Sequence, residues 1–219
     1  MKRLKHGFTL VELVIIVSVV TVLMSIIVPS AQKILNDSKK AKARNYMKQI
    51  SVSYCRVYQS KGFIPNADSG EKLVTILASY GELNNANLFV FPGDASAAEV
   101  QRETIYPADD TESSWKEGGD FSVYLVGNID EDVNMSTTPI AFSRGLKANG
   151  SWGTNGVYGS SGGYVAFLDG SVRWYDNLSD NDGKLSVYNG STSTANIGEA
   201  IPSNAIIFSR SEKVTLSND

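Results

Sequence analysis

The 219-residue sequence is poor in the residues that most enzymes use for catalysis, because it has one cysteine and one histidine. Cys55 alone cannot form an internal disulfide bond or a cysteine-based zinc cage. His6 lies within the first seven residues, so a chain that loses them has no histidine base and no histidine metal ligand. The net charge of −3 gives no indication of nucleic-acid binding. We therefore predict that the chain is not an enzyme.

The first thirty residues contain a long apolar run. Residues 1–7 are short and basic, and residues 8–28 are then almost wholly apolar up to Pro29. As a helix rising about 1.5 Å per residue, this run is about 31 Å long and matches a bilayer core of about 30 Å. Glu12 lies within it, and an acidic residue costs roughly 2–3 kcal/mol at mid-membrane and less near an end.

Three interpretations of this segment compete. A secretory signal peptide is disfavoured, because the apolar run exceeds the usual length of about 7–15 residues and Pro29 interrupts the nearest small-residue cleavage site. A simple membrane anchor leaves Glu12 unexplained unless its carboxylate reaches the membrane surface. The third interpretation depends on the motif that surrounds Glu12.

The string Gly7-Phe8-Thr9-Leu10-Val11-Glu12 resembles the processing site of type IV pilin-like proteins, which include type II secretion pseudopilins. The resemblance implies that a prepilin peptidase cuts after Gly7 and methylates the new amine of Phe8. It also implies that Glu12 pairs with the amine of a neighbouring subunit during filament assembly. Pro29 falls where many members have a helix-kinking proline.

The same resemblance implies a structural subunit of a type IV pilus-like filament or a type II secretion pseudopilus. Residues 8–28 would form the transmembrane and filament-core helix of a single-pass protein of the bacterial inner membrane. The leader, residues 1–7, would be cytoplasmic and the C-terminal head periplasmic, before incorporation into a periplasmic or extracellular filament. The implied partners are the prepilin peptidase, other pilin-like subunits and the membrane. The alternative is a minor tip pilin that binds a surface, a sugar or secreted cargo.

Residues 29–61 predict an amphipathic continuation of the helix, since residues 30–61 contain no glycine or proline. One third of the helical wheel carries an apolar stripe, formed by Tyr46, Met47, Ile50, Tyr54, Val57 and Tyr58. Eight basic residues face only one acidic residue, Asp37, so this stretch contributes a charge of +7. The basic surface could contact lipid headgroups or the acidic head of a neighbouring subunit.

Residues 62–219 predict a globular head with nine basic and 21 acidic residues, a charge of −12. A helix is expected at 70–80, and Asp169-Gly170 predicts a two-residue type I′ hairpin turn. The predicted strands are Phe121–Val126, Pro139–Ser143, Tyr164–Leu168, Ser171–Tyr175 and an edge strand at Ala205–Phe208. The expected fold is α+β, with a long N-terminal helix packed on a small antiparallel sheet.

Two further features of the head carry weaker hypotheses. The string Gly162–Val172 resembles a C-terminal signature of one branch of pilin-like proteins, in which a glycine pair, an apolar strand and an Asp-Gly turn follow one another. The loop that starts at Asp176 is rich in oxygen ligands and makes Asp176, Asp180 and Asp182 candidate calcium ligands, although the spacing fails the EF-hand pattern. No other cofactor is expected.

Overall fold

The computed structural model describes residues 8–81, 83–105, 113–130, 132–179, 183–190 and 192–218. The chain divides into two compact units, Met1–Ala41 and Lys42–Asp219. The predicted leader, residues 1–7, lies outside the described residues.

One helix, α1, runs from Leu10 to Lys61. It begins two residues after the predicted start of the apolar helix, because Phe8 and Thr9 are not helical. The helix continues through Pro29, so this proline does not break it. A proline removes one backbone donor, and the residues on both sides remain helical. A bend at Pro29 stays a prediction.

In the second unit, the predicted apolar stripe of α1 faces the core of the head. Met47, Ile50, Tyr54 and Val57 are completely buried, which confirms the stripe. The hydroxyl of Ser51 donates a 2.6 Å hydrogen bond to the carbonyl oxygen of Phe167 on the sheet. The helix is therefore held on the sheet by apolar packing and by direct polar contacts.

The sheet has five antiparallel strands in the order β4-β3-β2-β1-β7. The strand bounds are β1 Val123–Gly127, β2 Pro139–Ser143, β3 Gly163–Phe167, β4 Val172–Tyr175, β5 Leu185–Ser186, β6 Ser193–Thr194 and β7 Ile206–Phe208. The short strands β5 and β6 form a separate two-stranded sheet. Helix α2, Gly70–Gly81, confirms the helix predicted at 70–80, and α3 is a single turn at Ile197–Ala200. The α+β prediction is confirmed.

The hairpin between β3 and β4 forms at Asp169-Gly170, but the predicted two-residue type I′ turn is wrong. That turn needs a positive φ at both residues, and only Gly170 has one, at 87°. The Gly170 amide donates to the Phe167 carbonyl, and the Phe167 amide donates to the Ser171 carbonyl. The turn is thus a three-residue loop with glycine at its left-handed position.

A buried arginine, Arg210, anchors the chain after β7 to distant parts of the head. The guanidinium of Arg210 lies 3.2 Å from the Glu71 carboxylate and donates to the carbonyl oxygens of Trp115, Lys116 and Gly118. Its backbone amide also donates to the carboxylate of Asp120. These bonds join β7 to helix α2 and to the loop before β1. The predicted edge strand at Ala205–Phe208 is confirmed as β7.

Candidate functional site

The N-terminal unit presents an uncovered apolar surface along its helix. Every large apolar side chain from Leu10 to Val28 is exposed, with exposed fractions between 43% and 78%. This stretch has a mean hydropathy of 2.8 and none of it is buried within the chain. By length and composition, α1 could cross a membrane.

The polar side chains of this apolar stretch bond within their own helix. Four hydroxyl groups donate to backbone carbonyl oxygens three or four residues earlier, at distances of 2.7–3.0 Å; they belong to Ser18, Thr21, Ser25 and Ser30. A hydroxyl that bonds to its own helix can enter lipid without leaving a donor unsatisfied. These residues are therefore compatible with a membrane environment.

The start of α1 is fixed by Thr9 and Glu12. The Glu12 carboxylate accepts hydrogen bonds from the Thr9 backbone amide at 2.8 Å and from the Thr9 hydroxyl at 2.7 Å. In return, the Glu12 amide donates to the Thr9 hydroxyl oxygen at 3.3 Å. This reciprocal arrangement is a capping box, in which two helix-start donors without intrahelical partners are satisfied. The spacing Thr-x-x-Glu predicts it, although our sequence interpretation concerned only the charge of Glu12.

The predicted processing residues lie at the edge of the described region. Phe8 precedes the helix and its side chain is 77% exposed. Gly7 lies outside the described residues, as does the basic leader. Cleavage after Gly7 and methylation of Phe8 therefore remain predictions.

The candidate calcium loop is only partly described. Asp176 accepts a 2.6 Å hydrogen bond from the indole nitrogen of Trp174, while Asp180 and Asp182 lie outside the described residues. Across the described ranges, no three histidine, cysteine, aspartate or glutamate residues come together in a way that could hold a metal ion. Calcium binding at Asp176 stays a prediction.

Comparison with known proteins adds evidence on the N-terminal segment and on part of the chain. Residues 2–28 match the family described as the prokaryotic N-terminal methylation motif. Over 107 residues the chain is 27% identical to the toxin coregulated pilin of Vibrio cholerae, and the aligned region covers 42% of this chain. The match spans 48% of that relative, about half of its length. No solved structure matches the chain.

The matched residues include the exposed apolar part of α1 and its capping box. The chain therefore carries the prokaryotic N-terminal methylation motif and is similar, over part of its length, to a type IV pilin.

Proposed function

We propose that the chain is a structural subunit of a type IV pilus-like or type II secretion pseudopilus filament. A prepilin peptidase removes residues 1–7 by cleavage after Gly7 and methylates the amine of Phe8. The processed chain waits in the inner membrane as a single-pass protein with its head in the periplasm. It then enters the filament through its N-terminal helix.

The observation that carries this proposal is the exposed apolar helix with a carboxylate at Glu12. An exposed apolar surface of this length is unfavourable in water, so it needs lipid or other helices around it. A lipid environment alone would suit the apolar side chains, but it would give the carboxylate no partner. The carboxylate gains a function when helices from several subunits surround it and supply a positive partner.

In the proposed filament, that partner is the methylated amine of Phe8 from a neighbouring subunit. A charge buried without a partner costs several kcal/mol, whereas a paired and hydrogen-bonded charge does not carry that full cost. Only the register that brings the two charges together then permits assembly. The pair therefore selects the subunit position rather than providing most of the binding energy, which comes from packing of the apolar helices.

Intact-mass measurement of membrane and sheared-filament fractions tests the proposal. The wild-type chain should appear in both fractions without residues 1–7 and with the mass of one added methyl group. Gly7→Leu should keep its leader, remain in the membrane and be absent from the filaments. Gly7→Ala, which adds only one methyl group next to the cleaved bond, is the matched control. A wild-type chain that retains its full mass would contradict the proposal.

The same fractions separate a main subunit from a minor tip subunit. A main subunit is plentiful in the sheared fraction when it is the only pilin-like protein expressed. A tip subunit is scarce there and requires partner subunits. Protease treatment of intact spheroplasts tests the orientation, because a periplasmic head is degraded while a cytoplasmic head is protected.

A further inference from the structure

Charge is unevenly distributed in the unit Lys42–Asp219. The part of α1 that belongs to this unit has five basic residues and no acidic one: Lys42, Arg44, Lys48, Arg56 and Lys61. Residues 62–219 carry the opposite charge, −12. Two of the basic residues there are Arg144 and Arg210, which are buried in ion pairs with Asp94 and Glu71. Each pair removes one positive and one negative charge, so the remaining side chains of residues 62–219 still carry a net charge of −12.

Basic side chains gather beside β4, one of the two outer strands of the sheet. Arg173 is exposed on β4, and its guanidinium lies 5.2 Å from the centre of the Phe167 ring. Lys48 donates a 2.5 Å hydrogen bond to the carbonyl oxygen of Gly170 in the β3–β4 turn. Arg44 is exposed one helical turn earlier and is close enough to Tyr164 on β3 to lower its pKa, against the larger upward effect of burial.

Two carboxylates lie among these cations, and both are engaged locally. Asp169 accepts from the backbone amide of Ser171, and Asp176 accepts from the indole of Trp174. These neutral donors orient the carboxylates without removing their charge, so the three cations exceed the two carboxylates by one positive charge. We name Arg44, Lys48 and Arg173 the basic edge of the head.

The opposite outer strand, β7, has acidic neighbours. Asp120 and Glu212 both raise the pKa of Tyr124 on β1, in addition to the effect of burial, so both lie within electrostatic range of that ring. Glu117 is exposed between Lys116 and Gly118, whose carbonyl oxygens accept from Arg210. We name Glu117, Asp120 and Glu212 the acidic edge of the head. The cations nearby are Lys116, which is paired with Glu99, exposed Lys213, and the buried Arg144 and Arg210, of which Arg144 is paired with Asp94.

We propose that the basic edge of one subunit binds the acidic edge of a second copy of this chain. The two edges flank opposite ends of a five-stranded sheet, roughly 19 Å apart at about 4.8 Å per strand. That separation exceeds the Debye length of about 8 Å at physiological salt, so the edges do not neutralise each other within one subunit. Contact between two different, complementary surfaces repeats from copy to copy and builds an open filament.

This head contact rests on the proposed filament function and adds to it. The apolar helices hold the subunits together without specifying which sides of the heads meet. Opposite charges on the two edges favour one mutual orientation and disfavour others, because like-charged edges repel. The head edges thus decide which sides of neighbouring heads meet, while the helices provide the energy of assembly and the Glu12–Phe8 pair its register.

Charge reversal in the full chain tests this contact. The variant Arg44→Glu/Arg173→Glu should reduce sheared filaments roughly tenfold or more, because two like charges then face the acidic edge. Arg44→Lys/Arg173→Lys keeps the charge and is the matched control. A third variant combines Arg44→Glu/Arg173→Glu with Glu117→Lys/Glu212→Lys. Its former basic edge is then acidic and its former acidic edge basic, so the two edges are complementary again. It should recover most of the filament yield.

The outcomes separate this inference from the filament function itself. If the wild-type chain forms no filaments, the proposed function fails and the head contact fails with it. If the wild type forms filaments and the reversed variant assembles equally well, only the head contact is overturned. Loss of filaments without recovery in the four-residue exchange also overturns it. All four residues have exposed side chains, so processing and head folding should match the wild type by intact mass and tryptophan fluorescence.

Discussion

Glu12 and Thr9 cap the N-terminus of α1 through three mutual hydrogen bonds, two accepted by the Glu12 carboxylate and one by the Thr9 hydroxyl. Glu12 therefore has a local function in the single chain besides its proposed function in the filament. The two functions need different properties of the side chain. Capping requires a hydrogen-bond acceptor three residues into the helix, whereas pairing with an amine requires a negative charge.

Substitution of Glu12 separates capping from charge. Glutamine serves in a capping box as glutamate does, so Glu12→Gln should keep the helix start while removing the charge. Glu12→Val should lose both the helix cap and the negative charge. We expect both variants to remain in the membrane and to be absent from sheared filaments, as measured by immunoblot of the two fractions.

Hydrogen exchange provides the control for that experiment. In detergent micelles, the amides of residues 9–12 should exchange at the wild-type rate in Glu12→Gln and several-fold faster in Glu12→Val, in line with a cap contribution of about 1 kcal/mol. If Glu12→Gln assembles into filaments normally, the charge is dispensable and the proposed pairing with Phe8 is wrong.

The glycine before β3 tests the packing of the hairpin. Gly162 has a φ of 116°, and a Cβ atom built there would lie 2.4 Å from the Tyr175 carbonyl oxygen. Gly162→Ala should therefore destabilise the head by about 3 kcal/mol or more, from backbone strain and steric overlap together. Gly118→Ala is the control, since Gly118 has a φ of 82° but nothing within 4 Å of its Cβ position. It should cost only about 1–2 kcal/mol. Equal losses in urea unfolding would show that the Tyr175 contact is unimportant.

Arg210 should stabilise the head far more than an exposed ion pair does. Its side chain is 9% exposed, and removal would leave the partly buried carboxylate of Glu71 and three carbonyl oxygens without this donor. We expect Arg210→Ala to lower the free energy of unfolding by about 3 kcal/mol. Lys116→Ala breaks the pair with Glu99, whose side chains are 52% and 70% exposed, and should cost less than about 1 kcal/mol.

Urea unfolding followed by tryptophan fluorescence reports both Arg210→Ala and Lys116→Ala, because all three tryptophans lie in the head. Limited proteolysis adds a local measurement. Loss of the Arg210 bonds should make the C-terminal segment after β7 the first site of cleavage. A similar loss of stability in the two variants would indicate that the buried cluster contributes little.

The parts of this fold that the sequence predicts are those set by local patterns. The apolar stripe of α1 follows a helical period, and the strand at Pro139–Ser143 has the bounds expected from its apolar run. The Asp169-Gly170 pair predicts a hairpin correctly but not its loop length. That length depends on the register between β3 and β4, which the pairing of distant residues decides.

The contacts that the sequence does not predict are long-range. Arg210 and Glu71 are 139 residues apart in the chain, and no local pattern brings them together. Strand β7 also pairs with a distant strand, β1, where Leu125 lies opposite Phe208, so the order of the strands could not be derived from their positions in the sequence. The contact at the N-terminus of α1 is local by contrast. Thr9 and Glu12 are three residues apart, and their spacing is typical of a capping box, although the sequence prediction for Glu12 concerned only its charge.

The buried tyrosine of α1 makes the stability of the head depend on alkaline pH. Tyr54 is completely buried, and burial raises its pKa well above the ordinary value of about 10. The folded head therefore keeps Tyr54 protonated where the unfolded chain releases the proton. This contribution to stability is fully present below about pH 10 and is lost as pH rises above it.

We expect Tyr54→Phe to show a shallower decline in unfolding free energy than the wild type between pH 9 and pH 11, measured in urea across that range. Some decline should remain, because burial also raises the pKa values of Tyr124 and Tyr164. Tyr80→Phe is the control, since its ring is 53% exposed, and it should follow the wild-type curve. If Tyr54→Phe loses stability as steeply as the wild type, ionisation of Tyr54 does not limit the stability of the head. The difference between the two curves isolates this tyrosine because the lysines, which also titrate at high pH, are the same in both proteins.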